Sequence, residues 1–415
     1  MRAVSSHIET ALRHVGQRTH IPFAVQFAGG GEYRNREARP EFTIVFRTPR
    51  AYRRAALFGH VGLLEAYFDG DIDIQGSLAK CLAACMEGGI DTMNPLVRAQ
   101  NWLHEFLHAN SSWMRSKVNA EFHYAHDPEF YKLWLDDPLM LYTCAYWTPA
   151  TRTLEEAQVS KLDHVARKVM LKPGEDVVDI GCGFGGFLQY AEERWGVKVT
   201  GYNTTRSQVE HARRQIERKR LRHTVAVEGD FRSMDREYDK VVSIGCLEHA
   251  GRDGLAELVR AHARSLKPGG LGLIHFIGHV GQHPTDYFIR KYVFPGGWIP
   301  SLAEAIVEME RAGLEVLDIE NLRRHYALTL DVWAERFDRN WDRIRALDPK
   351  FDERFRRIWR VYLYGCAEMF RCPAGYTHLF QIVFSKGITT SYPMTRDFLY
   401  EQPAYSEKRS TGRAA

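Results

Sequence analysis

Apolar and polar positions alternate over Phe42-Thr-Ile-Val-Phe46, and its β-branched residues predict a strand. Residues 51–68 predict a helix, closed by the turn signal Asp69-Gly70-Asp71. Leu96, Val97, Trp102, Leu103, Phe106, Leu107 and Trp113 again fall near helical spacing. They predict a linker helix packed on a core; a helix lying in a membrane interface, with Trp and Phe on its apolar face, carries the same signature. Near residue 161 the pattern changes to alternating short elements. Helices are predicted over 162–170, 188–195, 207–219 and 254–265, and strands over 177–180, 197–202, 224–228, 240–244 and 272–276. Lys172-Pro-Gly174 and Lys267-Pro-Gly-Gly270 read as turns. Such alternation predicts an α/β fold with a parallel sheet covered by helices on both faces. Residues 1–115 are expected to form a small N-terminal α+β unit with its linker, 116–400 the larger domain, and 401–415 a loose polar tail.

Composition narrows the class. The 415 residues are 45% hydrophobic and 26% charged, which suits two globular domains. No uninterrupted apolar run reaches the ~20 residues that a spanning helix needs. The first residues lack the apolar stretch of a secretory signal, so a cytoplasmic location is expected. Seven cysteines form no C-x-x-C pair and read as reduced thiols. The 18 histidines form no H-E-x-x-H and no zinc-spaced cluster, so no metal is expected. A net charge of +4 is too mild to imply nucleic acid. The one dense basic patch, Arg213, Arg214, Arg218, Lys219, Arg220 and Arg222, reads as the solvated end of a helix.

Between a buried strand and a helix stands Val178-Asp-Ile-Gly-Cys-Gly-Phe-Gly-Gly186. Glycines there let the main chain turn tightly and approach a ligand at the carboxyl edge of the sheet. The spacing D-x-G-C-G-x-G-G is not that of the dinucleotide fingerprint. It resembles the first motif of class I S-adenosylmethionine methyltransferases, a Rossmann-like fold with a mostly parallel seven-stranded sheet. On that resemblance Asp179 faces the amino-acid end of the cofactor, while Gly181 and Gly183 admit it to the main chain. Gly229-Asp230-Phe231 places an acid and a ring at the adenine.

Further segments, in order along the chain, resemble the cyclopropane fatty acid synthase family: Asp69-Gly-Asp-Ile-Asp-Ile-Gln-Gly76, Tyr142-Thr-Cys-Ala-Tyr146, Gln158-Val-Ser-Lys161, Cys246-Leu-Glu-His-Ala-Gly251, His275-Phe-Ile-Gly278, Lys291-Tyr-Val-Phe-Pro-Gly-Gly297, His325-Tyr-Ala-Leu-Thr-Leu330 and Tyr362-Leu-Tyr-Gly-Cys-Ala367. The resemblance spans about residues 50–400 and implies that the unit over 1–115 handles lipid or meets the membrane and that 116–400 is the catalytic domain. It implies a bicarbonate site at Cys144, Glu248, His275, Ile277 and Tyr326, and an essential cysteine at Cys366. It also implies cofactor contacts from Tyr142, Thr143, Asp179, Gly181, Gly183, Gly185, Gly186, Asn203, Thr204, Gln208, Asp230 and Phe231. The implied substrate is an unsaturated phospholipid at the inner membrane face, and the implied assembly a homodimer.

The chemistry suits these residue types. An alkene attacks a methyl sulfonium without help from a base, but the resulting cation must then lose a proton, away from water. Bicarbonate held by Glu248, His275 and Tyr326 would take that proton, with Tyr326, Phe276 and Tyr146 offering ring faces to the cation. The sequence departs from the family's usual pattern at Phe184, at Tyr202-Asn-Thr-Thr-Arg-Ser-Gln208, at Cys246-Leu247 and at Cys366-Ala-Glu-Met-Phe370. The last two leave the product open between a cyclopropane and a methylene- or methyl-branched chain. A small-molecule O- or N-methyltransferase and a non-catalytic lipid-binding protein are the rival classes.

Overall fold

The computed structural model describes residues 2–89, 95–110, 112–373 and 375–400; the expected tail over 401–415 lies outside them. Four strands form the N-terminal sheet: β1 (Phe23–Gln26), β2 (Glu32–Arg34), β3 (Phe42–Phe46) and β4 (Ile72–Gly76), in the order β2-β1-β3-β4. β1 and β3 run parallel, with Phe23 opposite Phe42 and their rings stacked at 5.2 Å; the other pairs are antiparallel. Helix Arg50–Phe68 lies between β3 and β4. It is kinked at Gly59 (φ 53°, ψ −135°), where the sequence predicted a continuous helix. The glycine supplies a backbone conformation that other residues avoid.

The larger sheet contains β5 (Asp176–Ile180), β6 (Lys198–Asn203), β7 (Thr224–Glu228), β8 (Tyr238–Ile244), β9 (Leu266–His279), β10 (Leu314–Asn321) and β11 (Thr377–Lys386). Its order is β10-β11-β9-β8-β5-β6-β7, parallel except that β11 runs antiparallel to both of its neighbours. Helices cover the faces of the sheet, so β5 and β8 are buried nearly throughout and read as apolar runs. The chain leaves β5 toward β6 on one side and returns to β8 on the other. That reversal opens a crevice at the carboxyl ends of the strands, where ligands bind in such sheets.

Lys267-Pro-Gly-Gly270 is not a turn ahead of the strand. β9 runs through it, and pairing steps from Tyr238↔Leu266 to Lys240↔Leu271, so the intervening residues bulge out with Gly269 at φ +73°. Proline and glycine give the same local signal for a bulge as for a turn.

The N-terminal unit shares an apolar core with the C-terminal helices Arg323–Arg339 and Glu353–Arg371. Phe68 meets Tyr292 edge-on at 5.3 Å, and Glu65 accepts hydrogen bonds from Lys291 Nζ (2.5 Å) and Tyr292 Oη (2.7 Å). Burying a side chain such as Phe68 contributes about 1.5–3 kcal/mol. Among the described residues no helix is long and apolar enough to cross a membrane.

Candidate active site

The crevice is built from loops at the carboxyl ends of the parallel strands. After β5 come Asp179 and the glycine loop; after β6, Asn203, Thr204 and Gln208; after β7, Asp230 and Phe231; after β8, Gly245 and Cys246. Tyr142 and Thr143 close one side, and Ser116, Asn119, Ala120 and Tyr124 of helix Trp113–Tyr124 close another. Of the residues expected at a cofactor, Tyr142, Thr143, Asp179, Gly181, Gly183, Gly186, Asn203, Thr204, Gln208, Asp230 and Phe231 line this cleft. Gly181 adopts φ +86°, a conformation suited to glycine, and a Cβ there would press on Cys246 Cβ at 3.1 Å. Gly185 does not line the cleft. A Cβ on it would strike Ala212 Cβ at 2.8 Å, so its task is to let the loop pack against helix Arg206–Lys219.

Local bonds fix the cleft walls. Asn203 Nδ2 donates to Gln208 Oε1 at 2.8 Å and its Oδ1 accepts from Thr204 N at 3.0 Å, which ties together the segment that departs from the family pattern. Asp230 accepts from Arg232 N at 2.8 Å and pairs with the Arg232 guanidinium, which lies over the Phe231 ring at 4.3 Å. Asp179 is buried, and burial pushes its carboxyl up to about 7, against the pull of Lys161.

A second polar centre stands behind the cleft wall. Glu248 rides on the 3₁₀ turn Leu247–His249 and accepts a hydrogen bond from Ile277 N at 2.5 Å. Its other oxygen, Oε2, is buried with no partner among the described residues, and so is His275 Nε2. Burial raises the Glu248 carboxyl to about 7 and holds His275 neutral, well below its ordinary value. His275 Nδ1 lies 3.1 Å from Gln381 Nε2. Oriented this way, Gln381 donates to Nδ1 and leaves the ring proton on Nε2. Gly245, in the cleft, donates its N–H to the His275 carbonyl at 2.7 Å, so cleft and centre share one backbone wall.

Tyr326 is buried beside this centre, where its hydroxyl is raised first by burial and then by Tyr362, Cys144, Cys366 and Glu248. The Cys144 thiol lies 3.2 Å from Ala145 O, and burial keeps it protonated. Cys366 is half-buried and raised to about 12 by burial, which leaves little thiolate at neutral pH. None of these residues lines the cofactor cleft itself. The rings against Tyr326 are Phe370 (4.7 Å) and Trp333 (6.0 Å), not the expected Phe276 and Tyr146. Phe276 points to the opposite face of β9 from His275 and Ile277, toward Phe380, as strand alternation requires. Tyr146 stacks between His164 (4.2 Å) and His325 (4.7 Å).

Sequence reasoning missed Gln381 and gave no task to Tyr362 or Lys161, although both stand in the segments that carry the family resemblance. Tyr142 Oη bonds Tyr362 Oη at 2.8 Å and His123 Nε2 at 2.9 Å, forming a buried chain of polar tips inside an aromatic wall. The available signal was the motif that holds Gln158 and Lys161, two polar residues one turn apart on a helix, and the structure buries both fully. Gln158 Nε2 donates to Thr143 O at 2.9 Å, so this helix holds the cleft segment in place.

Residues 112–382 match the family described as mycolic acid cyclopropane synthetase, and residues 11–93 match a domain of unknown function. A probable fatty acid methyltransferase of Pseudomonas putida is 31% identical over 401 residues, 92% of this chain and 98% of that protein. The cyclopropane-fatty-acyl-phospholipid synthase of Escherichia coli K12 is 32% identical over 357 residues, 84% of this chain and 89% of the relative. The crystal structure of mycolic acid cyclopropane synthase CmaA1 complexed with SAH and CTAB aligns with a TM-score of 0.61 at 31% identity, covering 65% of this chain and 98% of that one. With the family match extending over most of its length, and relatives aligned nearly end to end, this chain belongs to the mycolic acid cyclopropane synthetase family.

Proposed function

We propose that the protein transfers a one-carbon unit from S-adenosylmethionine to the cis double bond of an unsaturated acyl chain in a membrane phospholipid, closing a cyclopropane ring. The observation that carries this reading is the pairing, across one backbone wall, of a methyltransferase-type cleft with a buried centre where Glu248 Oε2 and His275 Nε2 lack partners. A simple methyl transfer to oxygen or nitrogen has no use for the second centre; proton removal from a carbocation does.

S-adenosylmethionine supplies an electrophilic methyl group, and bicarbonate, when bound, a proton acceptor. The chain's own residues do the rest. Asp179 offers a carboxylate to the cofactor's ammonium group, and the glycine loop admits its amino-acid end. At the second centre a protonated Glu248 and the Nε2–H of His275 are donors suited to a small anion, while Ile277 N–H orients Glu248. The Tyr326 ring, backed by Phe370 and Trp333, offers a negative face to developing positive charge. The surrounding apolar shell keeps out water that would quench the cation.

The membrane part of the reading rests on two helices, the second of which lines the cleft. Pro95–Leu107 exposes Leu96, Trp102, Leu103, Phe106 and Leu107, and Trp113–Tyr124 exposes Met114, Val118 and Phe122 at successive turns. Large apolar patches of this kind mark interaction surfaces, and Trp and Phe favour the lipid interface. Asn101, donating to Thr285 O at 3.0 Å, and Glu105, accepting from Arg290 Nη1 at 2.7 Å, hold the first helix to the body. Changing Trp102 and Phe106 together to alanine should reduce co-sedimentation with anionic phospholipid vesicles at least about tenfold while sparing cofactor binding. Undiminished sedimentation would remove this surface from the reading.

A branched unsaturated product is the second reading. It is favoured by Cys366-Ala-Glu-Met-Phe370 near the second centre, and by similarity to a relative named as a fatty acid methyltransferase. Incubation with unsaturated vesicles and methyl-deuterated S-adenosylmethionine decides between them. Fatty acids carrying high-field ring protons and two deuteriums establish the cyclopropane. Label in a branch beside olefinic protons establishes the second reading, and no label in lipid refutes both.

A further inference from the structure

The cofactor cleft holds a cation to which the sequence assigned no task. Lys161, on helix Leu154–Lys168, is 0% exposed yet lines the cleft, and its Nζ donates to Thr143 Oγ1 at 2.7 Å. It has no ion pair among the described residues. Asp179, 2% exposed, lines the same cleft and also has no ion pair among them. A buried ammonium and a buried carboxylate in one cavity would ordinarily join, because each is costly to bury alone. Here they influence one another without touching: burial draws Lys161 down to about 8, opposed by Asp136, Cys144 and Asp179, and pushes Asp179 up to about 7, opposed by Lys161.

Two opposite charges held apart in one cleft match a ligand carrying both charges itself. The amino-acid end of S-adenosylmethionine is such a zwitterion. We infer that Lys161, with Thr143, binds the carboxylate of the cofactor while Asp179 binds its ammonium group, so that the pair measures the amino-acid end as a dipole. The inference rests on the cofactor assignment proposed above. Lys161 lines the cleft, which Glu248, His275 and Ile277 do not, and its charge also reaches His275 and Cys144 behind the cleft wall. Gln158 supports the arrangement from the preceding turn by fixing the main chain of Thr143.

The test compares S-adenosylhomocysteine with its decarboxylated analogue, which keeps the amine and loses only the carboxylate. Calorimetry should show wild-type enzyme preferring the intact compound about tenfold to a hundredfold, the worth of a hydrogen bond to a charged group. In K161M that preference should fall below about threefold, through weaker binding of S-adenosylhomocysteine and unchanged binding of the analogue. K161R should keep part of it. Methionine matches the length of lysine and removes a buried charge, so the variant should fold; if it does not, K161R, which keeps the charge and alters the geometry, decides by whether the preference shifts. Equal binding of the two compounds to wild type overturns the inference and leaves the cofactor assignment standing. No binding of either compound refutes the cofactor assignment instead. K161M weakened equally toward both compounds reduces Lys161 to a structural role. K161M with normal S-adenosylhomocysteine affinity but a raised bicarbonate requirement would place the cation at the second centre and also overturn the inference.

Discussion

Glu248→Gln is expected to lower turnover on unsaturated phospholipid by about 10²- to 10⁴-fold while changing S-adenosylhomocysteine affinity by less than about twofold. Glutamine keeps an oxygen to accept from Ile277 N, so the 3₁₀ turn and the cleft wall it supports should persist. Its amide can still donate as the protonated carboxyl does, so what it loses is the group that titrates near neutrality and can pass the proton on. Glu248 sits at about 7 because burial disfavours its charge, with only the Ile277 bond and its own backbone N–H drawing it back. Single-turnover kinetics and calorimetry on one preparation separate the two effects. Parallel losses of rate and binding would make Glu248 a cleft-building residue and remove it from the proton chemistry. Bicarbonate depletion adds a second reading of the same centre: wild-type activity should fall in carbonate-stripped buffer and recover on adding it. An unchanged rate would pass the base to Glu248 itself, and activity would then rise as pH increases through 7.

Asp179→Asn should weaken S-adenosylhomocysteine binding by about 30-fold or more at pH 8, the scale of removing one partner from a buried charge pair. The pH dependence carries a sign. With its folded value at about 7, Asp179 is neutral at pH 6 and ionised at pH 8, so wild-type affinity should rise across that interval. The variant should lack this limb. Above about pH 8 affinity should fall again as Lys161 discharges, although the ligand's own amine titrates there too, which makes the acid limb the diagnostic one. A wild-type affinity that is flat between pH 6 and 8 would mean that Asp179 does not meet the ammonium group.

The same carboxyl bears on stability. Its folded value lies above that of a free aspartate, so ionising it works against folding. The unliganded protein should lose stability as pH rises from about 4 through 7 by this group alone, and bound cofactor should offset the loss.

Asp179, Gly181 and the strand–loop–helix around them were legible in the sequence because their constraints are local. A tight turn that presents main chain to a ligand restricts residue type within a few positions. Gln381 was not legible, since it meets His275 only through pairing of β11 with β9, 106 residues apart along the chain. Phe370 reaches Tyr326 only through packing of helix Glu353–Arg371 on helix Arg323–Arg339, whereas Trp333 lies two turns from Tyr326 on the same helix, a spacing the sequence already carried. Phe276 was a different failure. Alternation along β9 already implied that it points away from His275, and adjacency in sequence was mistaken for adjacency in space. Lys161 had been seen as part of a motif, but its fully buried position, which gives it meaning, is a property of the folded cleft.

Helix Trp113–Tyr124 has two faces with different tasks. Ser116, Asn119, Ala120 and Tyr124 line the cofactor cleft, while Met114, Val118 and Phe122 project outward. One rigid element therefore touches the methyl donor on one side and, on the reading above, lipid on the other. Any displacement that lipid imposes on it is felt in the cleft, and thermodynamic reciprocity then requires that whatever bilayer contact does to cofactor affinity, the cofactor does by the same factor to bilayer affinity.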